Sequence, residues 1–173
     1  DFEVLQVVSQ VLYNGKAGLI DLDLNQQQKV LNSYGYPMGL ADYSAFILGG
    51  LPKQGQTLEE VKDLLLNEIK KLRAGEFDEK MLQANINNFK LYELQSMESN
   101  EGRADIFVNS FINGTNWEDE VTAIDRMAKL TKEDIVAFAD KYLKEDNYAV
   151  IYKKQGKDPN EKKMTKPEIT PIV

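Results

Sequence analysis

The stretch KVLNSYGYPMGLADYSAFILGGLP, residues 29–52, decides the fold class. Two runs, 29–36 and 43–51, are rich in valine, isoleucine, tyrosine and phenylalanine, and Pro37, Gly39 and Asp42 punctuate the link between them. Such runs around a turn cluster predict a β-hairpin over about 28–52. Within its second strand Gly49-Gly50 signals a bulge or a close backbone approach, and Pro52 with Gly55 ends it.

Helical periodicity surrounds the hairpin. Directly after it, Thr57-Leu58-Glu59-Glu60 has the form of a capping box, in which the threonine hydroxyl and the glutamate carboxylate each serve the other's backbone amide. Leu58, Val61, Leu64, Leu65, Ile69 and Leu72 follow as one apolar stripe, with Gly75 at its C-terminal end. Before the hairpin, Phe2, Val4, Leu5, Val8, Val11 and Leu12 predict a helix over 2–13, with Asp1 placed as N-cap and Asn14-Gly15 as stop. Residues 18–24 predict a short helix leading into the strand.

Downstream, a helix starts at Asp78 with Leu82, Ile86, Phe89 and Tyr92 on one face, and Gly102 interrupts it. Ala104, Ile106, Phe107 and Phe111 then predict another, stopped by Asn113-Gly114. Asn116 caps a further helix with Trp117, Val121, Ile124 and Ala128 inward, and Thr131 caps one with Ile135, Phe138, Ala139 and Tyr142 on the core side. The alternation over 147–154 predicts a closing strand. The class is α+β: an antiparallel sheet packed against several helices. The proline- and lysine-rich residues 155–173 read as an extended linker toward a following domain. A start at Asp1 reads as a piece trimmed from a longer protein.

The chain of 173 residues contains neither histidine nor cysteine. Zinc, copper and iron are ordinarily held by imidazole and thiolate, so this chain alone builds no conventional zinc site. A histidine-paired serine or cysteine nucleophile is likewise excluded. Net charge is -7, and the basic residues are scattered, which argues against a nucleic-acid partner. Apolar runs such as 46–51 are too short for membrane insertion. Absence of cysteine says little about compartment.

No motif survives the structural alternatives. Glu59-Glu60 and Glu118-Asp119-Glu120 fall in first helical turns, where negative charge is favoured in any case. Tyr34, Tyr36 and Tyr43 could form an aromatic shelf for a peptide, but cross-strand packing explains them. Gly49, Gly50 and Gly55 lack any phosphate-loop pattern. Asn113-Gly114-Thr115 matches a glycosylation acceptor and reads as a helix stop. No catalytic, cofactor-binding or metal-ligating residue is assigned.

Residues 1–24, the hairpin ending Gly49-Gly50-Leu51-Pro52, and Gly55-Gln56-Thr57-Leu58 together resemble the insulinase and pitrilysin family of zinc metallopeptidases. The likeness is to the second, non-catalytic α/β domain of a half of such enzymes. Leu72-Arg73-Ala74-Gly75-Glu76-Phe77-Asp78-Glu79 and Leu130-Thr131-Lys132-Glu133-Asp134-Ile135 are also similar to its phrases, and Lys166-Pro167-Glu168-Ile169-Thr170-Pro171-Ile172 resembles the connector between halves in bacterial members.

The resemblance implies that residues 1–154 are such a domain, lacking its first strands, with zinc held elsewhere in the parent by His-x-x-Glu-His and a glutamate. It implies that the partners are the remaining domains of the same polypeptide and peptide substrates. Where an active-site-completing half carries an arginine and a tyrosine, Asn25 and Asn32 stand here, so no substrate-polarising role transfers. The implied function is a scaffold lining the peptide chamber of a zinc protease, this piece being inactive alone. Missing strands would expose a sheet edge and favour homodimers. A structural or assembly subunit of the same fold, or an unrelated binding module, are the other readings. Bacterial relatives with such a connector are often exported to the periplasm.

Overall fold

The computed structural model describes residues 2–40 and 42–156. Its sheet is the hairpin: β1 (Asn32–Gly39) and β2 (Ser44–Leu51) pair antiparallel, with Tyr34 opposite Gly49 and Pro37 opposite Phe46. The first strand therefore begins and ends three residues later than the composition suggests, and it runs through Pro37. The reason lies in the direction of the amides. Ser33 donates its amide to the Asn25 side chain at 2.8 Å, away from β2. Alternation then turns Gly35, Pro37 and Gly39 outward as well, so proline's missing N–H costs no ladder bond. By the same alternation, Ser44, Phe46, Leu48 and Gly50 point their amides and carbonyls away from β1.

Two close approaches explain the paired glycines of β2. A Cβ on Gly49 would stand 2.2 Å from the Tyr34 ring, and one on Gly50 would stand 2.4 Å from a Val61 methyl. Gly49 thus admits a tyrosine above the sheet, and Gly50 lets β2 settle on the helix below.

That helix is α2 (Leu58–Arg73). Its capping box forms as the sequence predicts, Thr57 Oγ1 accepting the Glu60 amide at 3.1 Å and Glu60 Oε2 the Thr57 amide at 2.7 Å. Gly75, at φ +70°, closes its other end: its amide bonds to the Leu72 carbonyl and that of Glu76 to the Lys71 carbonyl. α1 (Phe2–Leu12) buries Val7, Val8, Val11 and Leu12 against β1, α2 and α7 (Lys132–Tyr142). A π-helical turn, Asp21–Asn25, leads into the hairpin, and its Leu24 is buried in the same core.

α3 (Lys80–Met97) contributes Leu82 and Ile86 to this core, and then the packing thins. α4 (Asn100–Asn113) buries only Ser110, leaving Phe107, Phe111 and Ile112 exposed. The single helix expected after Asn116 is two short ones, α5 (Trp117–Val121) and α6 (Ala123–Met127), broken at Thr122. Trp117 is not the inward-facing anchor that its place in the pattern predicts. It is 42% exposed and stacks on Phe107 at 4.4 Å, one exposed ring covering another. Val121 is exposed too, because α4, its neighbour, stands off the core.

The closing strand expected at 147–154 does not form. Residues 148–154 run in irregular backbone with no backbone hydrogen bond among the described residues, because no strand lies within pairing reach of them. Of the expected linker, residues 157–173 lie outside the described residues, as does the Asp1 cap. No helix among the described residues is long and apolar enough to cross a membrane.

Candidate functional site

An open trough of about 1230 Å³ runs between the outer edge of β2, the upper side of α2 and residues 148–152. Its floor is apolar, built by Leu58, Val61, Leu65 and Ile69 of α2. Phe46 and Leu48 form one wall, and Tyr148, Val150 and Tyr152 the other. Much of the charge around it is paired: Lys62 with Asp63 at 3.3 Å, Lys70 with Glu145 at 3.6 Å, and Arg73 with Asp140 at 2.8 Å, while Asp42 and Lys144 also line it. The Asp63 carboxylate, hydrogen-bonded to Lys62, holds that ammonium above its ordinary range. An apolar floor of this kind suits an apolar group better than an ionic ligand.

The three tyrosines of the hairpin do not act together. Tyr34 and Tyr36 stack 6.2 Å apart on the open face of the sheet, Tyr34 directly over Gly49, as cross-strand packing requires. Tyr43 sits in the turn, 82% exposed, at the mouth of the trough.

Asn25 and Asn32 border one shallow hollow with Tyr13, Lys16 and Gln26. Asn25 has a structural task there. Its Oδ1 accepts the Ser33 amide and hydroxyl, each at 2.8 Å, and its Nδ2 donates to the Ser33 carbonyl at 2.8 Å. One side-chain amide thus imitates a neighbouring peptide unit and caps the start of the outer edge of β1 at Ser33. No sequence pattern announces this clamp, since it joins residues through a turn whose geometry is not local.

The buried carboxylates are also engaged. Asp21 Oδ2 accepts the amides of Asn14 and Gly18 at 2.9 and 3.0 Å. Glu68, 1% exposed, accepts Lys71 Nζ at 2.9 Å, and the same ammonium binds Asp23. Burial pushes the Glu68 carboxyl above its ordinary value, against the opposing pull of Lys71. For Lys71, burial works downward, but its bonds to Asp23 and Glu68 prevail and raise it. A signal for this triad existed: Val61, Leu65, Glu68 and Leu72 share one helical stripe, so Glu68 faces inward.

These donors do not fit a zinc ion. There is no imidazole or thiolate, and no group of three or more acidic side chains gathers among the described residues.

The architecture matches solved structures. A protease from Helicobacter pylori superposes with a TM-score of 0.74 at 21% identity over 84% of this chain. The inactive peptidase domain of a putative zinc protease from Bordetella parapertussis gives 0.74 at 17% identity, and a putative zinc protease from Bordetella pertussis gives 0.73 at 16%, each again over 84% of this chain. The chain has the fold of a zinc-protease domain. It spans 35% of the Helicobacter pylori chain and 79% and 80% of the two Bordetella chains. No family model and no curated protein matches the sequence.

Proposed function

We propose that this chain is a non-catalytic scaffold domain of an insulinase- or pitrilysin-like zinc metallopeptidase, with the metal held elsewhere in the same polypeptide. What carries the reading is the fold likeness to an inactive peptidase domain, taken with a chain that has no histidine or cysteine to hold zinc. Its part in proteolysis is positional. The hairpin's open face, with Tyr34 and Tyr36, would line a peptide chamber, and rigid walls restrict which peptides reach the metal and help exclude water. Residues 1–154 form the domain and 155–173 connect it to the next one. The open edge of β2 is also where two copies of the isolated chain would pair, which concentration-dependent elution would show.

The test has two readouts. The chain of residues 1–173 shows no peptidase activity with or without added zinc, and elemental analysis after dialysis finds no stoichiometric metal. One tightly held zinc per chain would sink the reading. The parent gene should encode His-x-x-Glu-His outside these residues. A parent without it supports instead a structural or assembly subunit of the same fold, a reading favoured by the inactivity of the Bordetella parapertussis domain.

A further inference from the structure

We infer that the open face of the hairpin is a platform for uncharged side chains of a peptide substrate, aromatic or large aliphatic ones, a step that rests on the scaffold reading above. Three observations on the face itself carry it.

The first is which side chains face which way. A Cβ on Gly35 would meet Leu48 and Phe46, one on Gly39 would meet the Phe2 ring, and one on Gly50 would meet Val61, so these positions belong to the side packed on α1 and α2. Alternation then puts Tyr34, Tyr36 and Met38 of β1 with Ala45, Ile47 and Leu51 of β2 on the other side. Tyr34, Tyr36, Met38 and Leu51 are between 36% and 45% exposed there. An antiparallel sheet with one face in water ordinarily turns polar side chains to that face. Here the water side is as apolar as the core side, and packing within the chain does not explain it.

The second is charge. Charged residues make up 28% of the chain, yet between Lys29 and Lys53 the sole charged residue is Asp42, in the turn. The platform therefore offers no ion pair to a charged guest and strips water from it without return. An uncharged ring or aliphatic chain suffers no such loss by lying there.

The third is the extent and chemistry of the surface. Two paired strands of eight residues cover about 27 Å by ~10 Å, roughly 260 Å², at the rise and spacing of a sheet. A specific protein partner needs about 800 Å² on each side, so this face by itself holds a few side chains, not a folded domain or a second copy. Its residues suit changing guests. The Tyr34 and Tyr36 rings stack with their planes 15° apart, and none of the described residues hydrogen-bonds to either hydroxyl. Each ring thus gives apolar contact while its tip stays wet. Met38 is unbranched and adapts to what lies against it. Packing across the strands accounts for the side of Tyr34 that lies on Gly49 and leaves both rings part-exposed.

A titration of residues 1–173 followed by NMR tests this. The probe is the capped peptide Gly-Phe-Ala-Phe-Gly, with versions that carry lysine or glutamate in place of both phenylalanines. The phenylalanine peptide shifts the Tyr34 and Tyr36 ring signals and the Met38 methyl signal saturably, with a Kd about tenfold or more below that of either charged version. Tyr36→Ser weakens that binding about fivefold or more while the denaturation midpoint stays within error. Equal affinity for the three peptides, no shift, or shifts confined to the trough at Val61 overturn the platform, as does unchanged affinity in a folded Tyr36→Ser variant. In the parent polypeptide, the loss of kcat/KM caused by Tyr36→Ser is about fivefold greater for phenylalanine-rich than for alanine-rich peptides. An equal loss on both overturns the substrate class. Peptide binding on this face in a parent without zinc peptidase activity would keep the platform and remove the peptidase reading.

Discussion

Gly49 and Gly50 are neighbours of one type with different constraints, and their substitutions separate the two faces of the sheet. An alanine methyl at 50 meets a branched Val61 methyl held in the core at 2.4 Å, with Leu65 at 3.3 Å behind it. Gly50→Ala should cost about 1–3 kcal/mol, the usual range for overpacking. At 49 the obstacle is the far end of the Tyr34 ring, which is partly exposed and can swing away. Gly49→Ala should therefore be the milder change, and denaturant midpoints of the two variants check the order. Lys71 offers a residue-scale test of electrostatics. Lys71→Met leaves Glu68 buried without its cation, costing about 2–3 kcal/mol, below the range for fully enclosed pairs because Lys71 keeps partial contact with water. A carboxyl whose folded pKa is raised binds its proton more tightly when folded, so its penalty grows as pH rises through that pKa. The loss should thus be larger at pH 8 than near pH 4.5, and a pH-independent loss would contradict the burial of Glu68 as a charge.

At the scale of elements, the capping boxes of α2 and α7 repeat one device. Glu60 and Asp134 are both held below their ordinary values, chiefly by the backbone amides of Thr57 and Thr131. A depressed carboxyl stabilises above its unfolded pKa, and the benefit is lost as pH falls through the folded one. Glu60→Gln with Asp134→Asn should be less stable than wild type at neutral pH and approach it well below pH 3.8, as chemical denaturation at the two values would show. Thr57→Ala should cost about 1 kcal/mol. Both boxes are legible in sequence because a cap is a local chemical pattern. Legible too are α1, α2 and the hairpin, whose apolar residues meet the core at the spacing their period implies. The elements that depart from expectation depend on partners elsewhere. Composition puts Pro37 in the turn, whereas its tolerance in β1 depends on which edge Asn25 covers. Chemistry alone makes Trp117 a core residue, and the alternation over 147–154 is strand-like in a place with no strand to pair with.

Across the whole molecule, exposed apolar side chains lie along the second half of α3 (Leu91, Tyr92, Leu94), on α4 and beside the trough, and the last two differ in chemistry. The trough combines them with unpaired peptide groups, whereas α4 offers side chains only, on a helix whose backbone is already satisfied. Phe111, 87% exposed, and Ile112 make little contact with the rest of the protein, so replacing them should leave folding almost untouched. Together with Phe107 and Val108 they make α4 the place to test for self-association. The two surfaces can be told apart by what relieves association. Phe111→Ser with Ile112→Ser should reduce concentration-dependent light scattering while shifting the melting temperature by no more than about 2 °C, as expected for surface positions within about 0.5 kcal/mol of neutral. If scattering is unchanged in this variant, association runs elsewhere, and the apolar face of α4 is then ordinary surface.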